Sequence, residues 1–485
     1  MWWIILGLLS VGGYLWFDLT SFDKPDLPGT VKTNVTGLGF GPRKQLIVFE
    51  FDVSTIDMSD KKFMTLTWSD IDGSHTMPAG IEIKGSNIDE RPKLNYAFEI
   101  WEPSGDVPCT SVETCDDSKA ELFQFGEDYE DYVLRGGYKE PTLIRDTIPS
   151  EMGGILQHTL VEVVFKHEGE YFYEGVYILY PAIQRRVLEK RLGWDSKGKK
   201  EDCEDASDAD IRETAFIGEY TNPGRGSRKK DCDWLDWIKM RYPKCDIGVC
   251  YHDEITKYFS VITGKNESVV DVDLASFVDT FFVESLMMNG DFPISSQYFY
   301  KDPLGVFHSG PRWDYDYMSW RLADAETWDF ETTYLSSAAP FWQDLGKDAG
   351  FVSMLNGVRV SRSEANLQVA LDKVAERRVQ YAAGYFDRNI ARWGGFGSRV
   401  VPFSKDMHLR HPDGRVKGNF TAELDFMEQR FKDRAAWMKA NEIEEFTFSN
   451  DLLFPVAVYV RYTYVMWGFV LLCVLGCVCY RPRDK

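Results

Sequence analysis

The apolar and polar positions of the chain first follow the period of β-strands. Between residues 45 and 101 they alternate, as in Gly80-Ile-Glu-Ile-Lys84, and Gly, Pro and Asp residues separate the runs. Alternation of this kind is typical of half-buried strands. Residues 158 to 183 predict two more strands, which a turn at His167-Glu-Gly169 would join as a hairpin.

After residue 270 the period becomes helical. One apolar stripe has the i, i+3, i+4, i+7 spacing of a buried helix: Leu274, Phe277, Val278, Phe281, Phe282 and Leu286. Asp271 and Asp273 precede it, where a side-chain oxygen can cap the first backbone N–H groups. Similar patterns at residues 362–392 and 421–441 predict further helices. A chain that passes from strands to helices predicts an α+β fold.

Changes in composition divide the chain into regions. Residues 40–185 form the predicted strand-rich N-terminal lobe, and residues 254–450 form the predicted helical C-terminal lobe. Between them, residues 186–253 are rich in Gly, Lys and Asp and contain four cysteines. We interpret this stretch as an insertion held together by disulfides.

Both ends of the chain carry an apolar segment. Residues 1–17 contain no charged side chain but are shorter than the ~20 residues of a full span, so they predict a signal peptide or an N-terminal membrane anchor. Residues 460–480 predict a transmembrane helix. The basic side chains of residues 481–485 place this tail in the cytosol by the positive-inside rule. We therefore expect a single-pass membrane protein whose main region is lumenal or extracellular.

The composition excludes two classes of protein. Hydrophobic residues make up 44% of the chain and aromatic residues 15%, which is too apolar for a disordered protein. The formal net charge is −21 at pH 7. Such a surface repels phosphate backbones, so nucleic acid is not an expected partner.

The nine cysteines fall into two groups. Cys473, Cys477 and Cys479 lie in the predicted C-terminal span. The others are even in number and belong to the predicted lumenal region, where disulfides form. Proximity in the sequence favours three pairs, Cys109–Cys115, Cys203–Cys232 and Cys245–Cys250. A zinc site is the alternative, which the lack of a CxxC motif and of a nearby histidine pair disfavours.

Three sequons agree with a route through the secretory pathway. They begin at Asn34, Asn266 and Asn419. Sequons also occur by chance, so each one is a weak signal by itself.

Candidate chemistry concentrates in residues 289–316. Asp291 follows the predicted buried helix, and a strand, a turn at Asp302-Pro-Leu-Gly305 and a returning strand lead to Asp314. The hairpin would bring these two carboxylates together. One could then accept a proton from a nucleophile while the other holds a divalent cation on transferred phosphates, as in a kinase active site. The alternative is that both acids are helix caps or solvated loop residues.

The same segment resembles the CotH family, the atypical protein kinases of the spore coat protein H type. The matching motifs are Asn289-Gly-Asp291, Tyr298-Phe-Tyr300 and Gly310-Pro-Arg-Trp-Asp-Tyr-Asp316. Other segments are similar to the family's hairpin, short helix and nucleotide-gripping lobe, namely residues 161–177, Tyr132-Val-Leu-Arg135 with Leu143-Ile-Arg-Asp146, and Ile83-Lys-Gly-Ser86 with Pro92-Lys93. The resemblance covers about residues 40 to 450 and implies a two-lobed, protein-kinase-like fold.

The resemblance implies a catalytic acid and a metal site. Asp291 would be the catalytic-loop acid, and Asp314 would bind the metal ion with support from Asp316. From the residues alone, Asp316 is equally a structural acceptor of backbone N–H groups. Family members usually have a metal-binding Asn about five residues after the loop acid. This chain has Ser296 there and Gln297 next, and either can offer an oxygen to the metal.

The resemblance also implies a nucleotide site for ATP with Mg²⁺ or Mn²⁺. Lys93 would pair with the nucleotide phosphates, although by itself it reads equally as an exposed strand lysine. Lys84 and Arg145 match further basic positions of the family and would help to hold the nucleotide. Lys84 stands where the family has Arg, so bidentate phosphate binding is lost. Pro181 stands where a Glu is common, which removes a backbone donor from the cleft.

Two functions remain open on these observations. The first is a membrane-anchored lumenal kinase that transfers the γ-phosphoryl group of ATP to Ser or Thr of secreted or membrane proteins, as Asp291 and Asp314 favour. The second is a pseudokinase-like ectodomain that binds a protein partner, as Ser296 and Pro181 favour. Both predict contact with a lipid bilayer. A hydrolase is disfavoured, since the chain has neither a G-x-S-x-G nor an HExxH motif.

Overall fold

The computed structural model of the protein combines a strand-rich N-terminal part with a helical C-terminal part. It describes residues 32–51, 61–84, 93–137, 140–153, 155–192, 215–220, 238–242, 258, 271–289, 296–315, 340–393 and 420–444. The mixture of a sheet and several helices confirms the predicted α+β class.

The N-terminal part is built on one β-sheet. Its strands are β1 (Lys32–Thr33), β2 (Leu46–Glu50), β3 (Lys62–Asp70), β4 (Gly73–Lys84), β5 (Asn95–Pro103), β6 (Cys115–Asp117), β7 (Asp131–Arg135), β8 (Thr159–His167) and β9 (Glu170–Pro181). Strands β9, β7, β5, β4, β3, β2 and β8 are hydrogen-bonded in this order, and β8 also pairs with β9. These seven strands therefore close into a barrel, to which β1 and β6 are attached.

One face of every barrel strand points inward. Phe49 lies opposite Phe165, and Phe98 lies opposite Tyr132. Since cross-strand partners share a face of the sheet, these side chains belong to a single core. The rings of Phe49 and Phe98 meet edge to face with their centroids 5.3 Å apart. The alternation seen between residues 45 and 101 arises from this inward-facing set.

Strands β8 and β9 form the hairpin that the sequence predicts. Its turn is made by Glu168 and Gly169, which have φ angles of 49° and 78°. A two-residue turn with positive φ at both positions matches the twist of the flanking strands. The local sequence is sufficient to predict this hairpin, because the turn by itself fixes the pairing of β8 with β9.

A second sheet is antiparallel and lies in the C-terminal part. Its strands are β10 (Phe216–Tyr220), β11 (Ile238–Tyr242), β12 (Gln297–Lys301) and β13 (Phe307–Ser309), in the order β11-β10-β12-β13. Strands β10 and β11 come from residues 186–253, the stretch interpreted as an insertion. This stretch therefore extends the hairpin of the candidate segment. The two strands are too short for their alternation to stand out in a charged, Gly-rich sequence.

The helices of the described residues pack mainly in the C-terminal part. They are α1 (Thr147–Gly153), α2 (Arg185–Leu192), α3 (Leu274–Met287), α4 (Pro340–Lys347), α5 (Ala349–Ala382), α6 (Asp387–Trp393) and α7 (Phe420–Ala440). Helix α5 packs against α3 and α7. Helix α3 is the predicted buried helix, and Asp273 caps it by accepting the Ala275 N–H at 3.1 Å and the Ser276 N–H at 3.4 Å.

The pattern at residues 362–392 corresponds to two helices. Helix α5 starts earlier, with Asp348 as its N-cap, and ends before Gly384. Gly384 has a φ angle of 76°, a left-handed conformation that glycine adopts without steric cost and that commonly ends helices. Gly384 is the residue in the sequence that indicates the end of α5 and the start of a second helix.

Helix α6 docks on a bulge in β9. The register against β8 shifts at this point: Val163 pairs with Gly175 and Val164 with Tyr173, which makes Glu174 the extra residue of the bulge, and Gly175 has a φ angle of 134°. Asn389 accepts the Val176 N–H at 3.0 Å, and Trp393 donates to the Glu174 carbonyl oxygen at 2.6 Å. The helix therefore satisfies backbone groups that the bulge removes from the ladder.

One of the three predicted disulfides is present in the described residues. Cys109 and Cys115 are bonded, with Cα atoms 4.7 Å apart, which confirms this pair. Cys203–Cys232 and Cys245–Cys250 lie outside the described residues.

We expect replacement of both Cys109 and Cys115 by Ser to lower the free energy of unfolding by about 2 to 3 kcal/mol, because the bridge closes a short loop and restricts the unfolded chain. Urea titration of both proteins measures this change, and non-reducing peptide mapping detects the bridge. Alkylation of both thiols without reductant would contradict the assignment.

The predicted membrane and glycosylation features are mostly outside the described residues, which include none of residues 1–17, 460–480 and 481–485. Among the helices of the described ranges, none has the length and apolar character needed to cross a membrane. Asn34 is exposed, as a glycosylation site must be, whereas Asn266 and Asn419 are not described.

Candidate active site

Asp314 lies in the segment that follows β13 and has a polar partner on each carboxylate oxygen. Arg135 donates from Nη2 to Oδ1 at 2.6 Å, and Ser296 donates from Oγ to Oδ2 at 3.0 Å. Arg135 ends β7 and Ser296 directly precedes β12, so the site joins the barrel to the second sheet. The Asp314 side chain keeps 29% of its surface exposed, which leaves it within reach of a ligand.

Ser296 and Asp314 both have a left-handed backbone. Their φ angles are 59° and 69°. Residues other than glycine adopt this region rarely, at a cost on the order of 1 kcal/mol each. Such strain persists only where the surroundings fix the conformation, and it concentrates at functional sites. In this backbone conformation the hydroxyl of Ser296 and the carboxylate of Asp314 face each other and form a hydrogen bond.

Arg135 is held by two carboxylates and an aromatic ring. Its Nε lies 3.0 Å from Asp146 Oδ2, and its guanidinium carbon lies 5.0 Å from the centroid of the Trp313 ring. Asp146 also accepts the backbone N–H of Tyr315 through Oδ1, at 2.7 Å. Arg135 and Asp146 therefore fix the chain on both sides of Asp314.

A buried carboxyl supports the same segment from α3. Glu284 is 4% exposed and accepts a hydrogen bond from the Tyr315 hydroxyl. Burial raises the pKa of Glu284 to about 8, so its carboxyl is protonated at neutral pH. The side chain of Asn289, the first residue of the N-x-D motif, also hydrogen-bonds this carboxyl.

We expect Glu284 to make the stability of the protein depend on pH. The folded state holds this proton up to a pKa of about 8, whereas the ordinary value is 4.5. The unfolded state therefore releases it first, and stability falls as pH rises through that window. Glu284→Gln keeps a neutral side chain and removes the effect. Relative to the wild type, the variant should gain about 2 to 4 kcal/mol in free energy of unfolding between about pH 5 and about pH 8, measured by urea titration. Parallel pH profiles would contradict this.

A small pocket lies beside Asp314. Its lining includes Glu284, Asn289, Ser296, Gln297, Trp313 and Tyr315. The described residues contain no group of three or more His, Cys, Asp or Glu side chains that could hold a metal ion. Asp314 and Ser296 nevertheless offer a carboxylate and a hydroxyl, which are hard oxygen ligands. They fit Mg²⁺, which phosphotransferases bind through one or two carboxylates together with the substrate phosphates.

Comparison with protein families identifies the chain. The family model described as CotH kinase protein matches residues 81–438, from β4 to α7. The chain belongs to the CotH kinase family. The match confirms the resemblance that the motifs indicated. A search of curated proteins finds no match. Membership of the family implies a kinase-like function, with ATP-dependent phosphotransfer, a nucleotide partner and, in general, a divalent metal.

Two carboxylates of the CotH motifs, Asp291 and Asp316, lie outside the described residues. Asn289 is described, and its contact with Glu284 places the start of the N-x-D motif at the pocket. The roles of Asp291 as catalytic acid and of Asp316 as support for the metal ligand stay predictions.

Lys93 is buried at the end of the barrel. Its Nζ donates to the Val176 carbonyl oxygen at 2.6 Å and to Asn389 Oδ1 at 2.9 Å, and lies 4.6 Å from the centroid of the Tyr177 ring. Burial lowers the pKa of its ammonium to about 7. The interpretation of Lys93 as an exposed strand lysine is therefore wrong, since only 3% of it is accessible.

Lys93 and Asp314 have different contacts in the structure. Arg135, the partner of Asp314, lies opposite Ile178 in the pairing of β7 with β9, so these two side chains share a face. Lys93 contacts the ring of Tyr177, which belongs to the other face because neighbouring residues of a strand alternate. The role of Lys93 in nucleotide binding stays a prediction, and in this conformation its ammonium is occupied by the protein.

The other predicted ligands lie in different places. Lys84 is exposed at the end of β4. Arg145 is 1% exposed and forms ion pairs with Glu140 and Glu423, so it sits in a buried cluster. Gln297 is buried, and its Oε1 accepts a hydrogen bond from a tryptophan of α4 at 3.2 Å. Ser296 is the predicted ligand that contacts Asp314.

Sequence reasoning missed three residues of the CotH site. Arg135 and Asp146 were inside the motifs, but the neighbouring Arg145 was assigned, because a motif does not show which of its side chains point toward the site. Glu284 had a clear signal, since it follows Phe277 by seven residues and is therefore a carboxyl on the buried stripe of α3.

Proposed function

We propose that this CotH protein is a membrane-anchored kinase that transfers the γ-phosphoryl group of ATP to Ser or Thr of secreted or membrane proteins. The observation that carries the proposal is the Asp314 site, in which two residues with left-handed backbone, Asp314 and Ser296, hold one accessible carboxylate and one hydroxyl together beside a pocket, in a chain of the CotH kinase family. In this proposal the fold is two-lobed and protein-kinase-like, with the pocket at the mouth of the cleft.

The residues then divide the reaction among them. Asp314 and Ser296 would hold Mg²⁺ or Mn²⁺, which when bound neutralises charge on the β- and γ-phosphates. Arg135 fixes the carboxylate of Asp314. Asp291 would accept the proton of the acceptor hydroxyl. The oxygen of that hydroxyl bonds to the γ-phosphorus, the bond between the γ-phosphorus and the bridging β-phosphate oxygen breaks, and ADP leaves.

The full chain in detergent, incubated with Mn²⁺ or Mg²⁺ and ATP labelled in the γ-phosphate, provides the test. Dephosphorylated casein is a suitable acceptor, because it is a secreted, serine-rich protein. We expect label on Ser or Thr, and none with Asp291→Asn. Label on the acceptor that persists in the variant would point to a contaminating kinase.

A second function, a pseudokinase that binds a protein partner, is favoured by Lys93. Its ammonium is bound by the Val176 carbonyl oxygen at 2.6 Å and by Asn389 Oδ1 at 2.9 Å, so in this conformation it is occupied by the protein. A protein of this kind would transfer no phosphate and would bind no nucleotide in the presence of either Mg²⁺ or Mn²⁺. The two functions thus differ in ATP binding itself.

The proposal places the main region in the lumen or outside the cell. The apolar ends of the chain, the disulfide between Cys109 and Cys115, and the exposed sequon at Asn34 support this location. In sealed microsomes, the region between residues 24 and 455 should resist added protease and should carry sugar on at least one sequon. Digestion without detergent would exclude this topology.

A further inference from the structure

Glu284 connects the two segments of the chain that carry the proposed chemistry. Its Oε1 accepts the hydroxyl hydrogen of Tyr315, which directly follows Asp314. The side chain of Asn289, two residues before Asp291, reaches the same carboxyl. One side chain on the rigid helix α3 therefore touches both segments.

The contacts of Glu284 are set within a buried environment. Its Oε1 accepts from the Tyr315 hydroxyl; the hydrogen bonds of Tyr315 and Asn289 favour the carboxylate form, but burial outweighs them and raises the pKa. Glu284 Oε2 is buried and has no hydrogen-bond partner among the described residues, and the pocket lies beside it. The groups that face Glu284 from neighbouring elements are Tyr315 and Arg312 in the segment after β13.

A purely structural role does not account for this residue well. A carboxyl on the buried stripe of α3 costs free energy that an apolar residue would not, because its polar atoms lose their hydration. Phe277, Phe281 and Val283 of the same helix are apolar and buried. A buried carboxyl beside the two segments that would carry the chemistry is better explained by what it holds.

We propose that Glu284 is the positioning residue of the active site, which holds the Asp314 turn and Asn289 at a fixed distance. It acts through Tyr315 and Asn289 and touches neither the nucleotide nor the metal. The expected effect of Glu284 on turnover rests on the proposed kinase function. Its expected effect on the positions of the two segments does not.

The test compares three variants of the full chain. Glu284→Gln keeps a neutral side chain that donates and accepts, Glu284→Ala removes both contacts, and Val283→Ala makes a cavity in the same helix at a residue outside the site. Hydrogen exchange of the backbone amides of residues 286–289 and 310–315 reads the position of the two segments without any ligand. We expect both segments to exchange at least about tenfold faster in Glu284→Ala than in Val283→Ala, and at the wild-type rate in Glu284→Gln.

Kinetics supply the second readout. In Glu284→Ala, kcat for transfer to casein should fall by about tenfold to a hundredfold with KM for ATP changed less than threefold, and Glu284→Gln should stay within about threefold of the wild type. Equal exchange in the two Ala variants, or a Gln variant as impaired as the Ala variant, would overturn the proposal. If the wild type transfers no phosphate, the kinase function fails, and hydrogen exchange still decides the role of Glu284.

Discussion

Replacement of Asp314 by Asn should lower the rate of phosphoryl transfer by at least about 10³-fold while the protein stays folded, because preorganised charge at the transferring group is a large part of the barrier reduction in such reactions. The amide keeps the size of the carboxylate: its oxygen can still accept from Arg135, which donates to Asp314 at 2.6 Å, and its NH2 group can donate to the Ser296 hydroxyl oxygen, which lies 3.0 Å from Asp314. What it loses is the negative charge that a divalent cation requires.

Initial rates with labelled ATP measure this effect, and thermal unfolding shows whether the fold is kept. Asp106→Asn is a matched control, since Asp106 is an exposed carboxylate in the loop after β5. It should keep its full rate. An Asp314 variant that retains more than about one tenth of the wild-type rate would remove Asp314 from the proposed metal site.

The second large effect concerns stability. Arg135→Met should lower the free energy of unfolding by about 3 to 5 kcal/mol, because Asp146 and Asp314 would lose the cation between them and Asp146 is only 5% exposed. Transfer should also be lost, since the segment around Asp314 is no longer held. Urea titration measures the stability change.

Two further variants separate the burial of charge from the loss of a side chain. In Arg135→Met with Asp146→Asn, part of the stability should return, because one of the two unpaired carboxylates is gone. Arg186→Met removes an ion pair with the more exposed Asp128 and should cost less than about 1 kcal/mol. If Arg135→Met and Arg186→Met lowered the free energy of unfolding equally, the burial of the Arg135 ion pairs would not contribute to stability.

Features encoded by short stretches were predictable from the sequence. The turn at Glu168 and Gly169 and the cap at Asp273 each depend on a few consecutive residues, and both are where the pattern placed them. The Cys109–Cys115 bridge was predictable for the same reason, because loop closure favours near neighbours.

Features that depend on distant pairing were not predictable. The barrel closes because β2 pairs in parallel with β8, where Leu46 lies opposite Glu162, and no local signal selects that partner. The same limit explains why the motifs did not single out Arg135 as the partner of Asp314. A motif fixes the order of residues along the chain, whereas the register of β7 against β9 decides which face each side chain takes.

The binding of ATP to the full chain, measured by isothermal titration with and without Mn²⁺, tests the central claim that Asp314 and Ser296 form a metal and nucleotide site. We predict that the wild type binds ATP only when Mn²⁺ or Mg²⁺ is present. Asp314→Asn should lose this metal-dependent ATP binding, and Asp106→Asn should keep it. Absence of ATP binding by the wild type with either metal, or equal binding by Asp314→Asn, would contradict the kinase account and favour the pseudokinase.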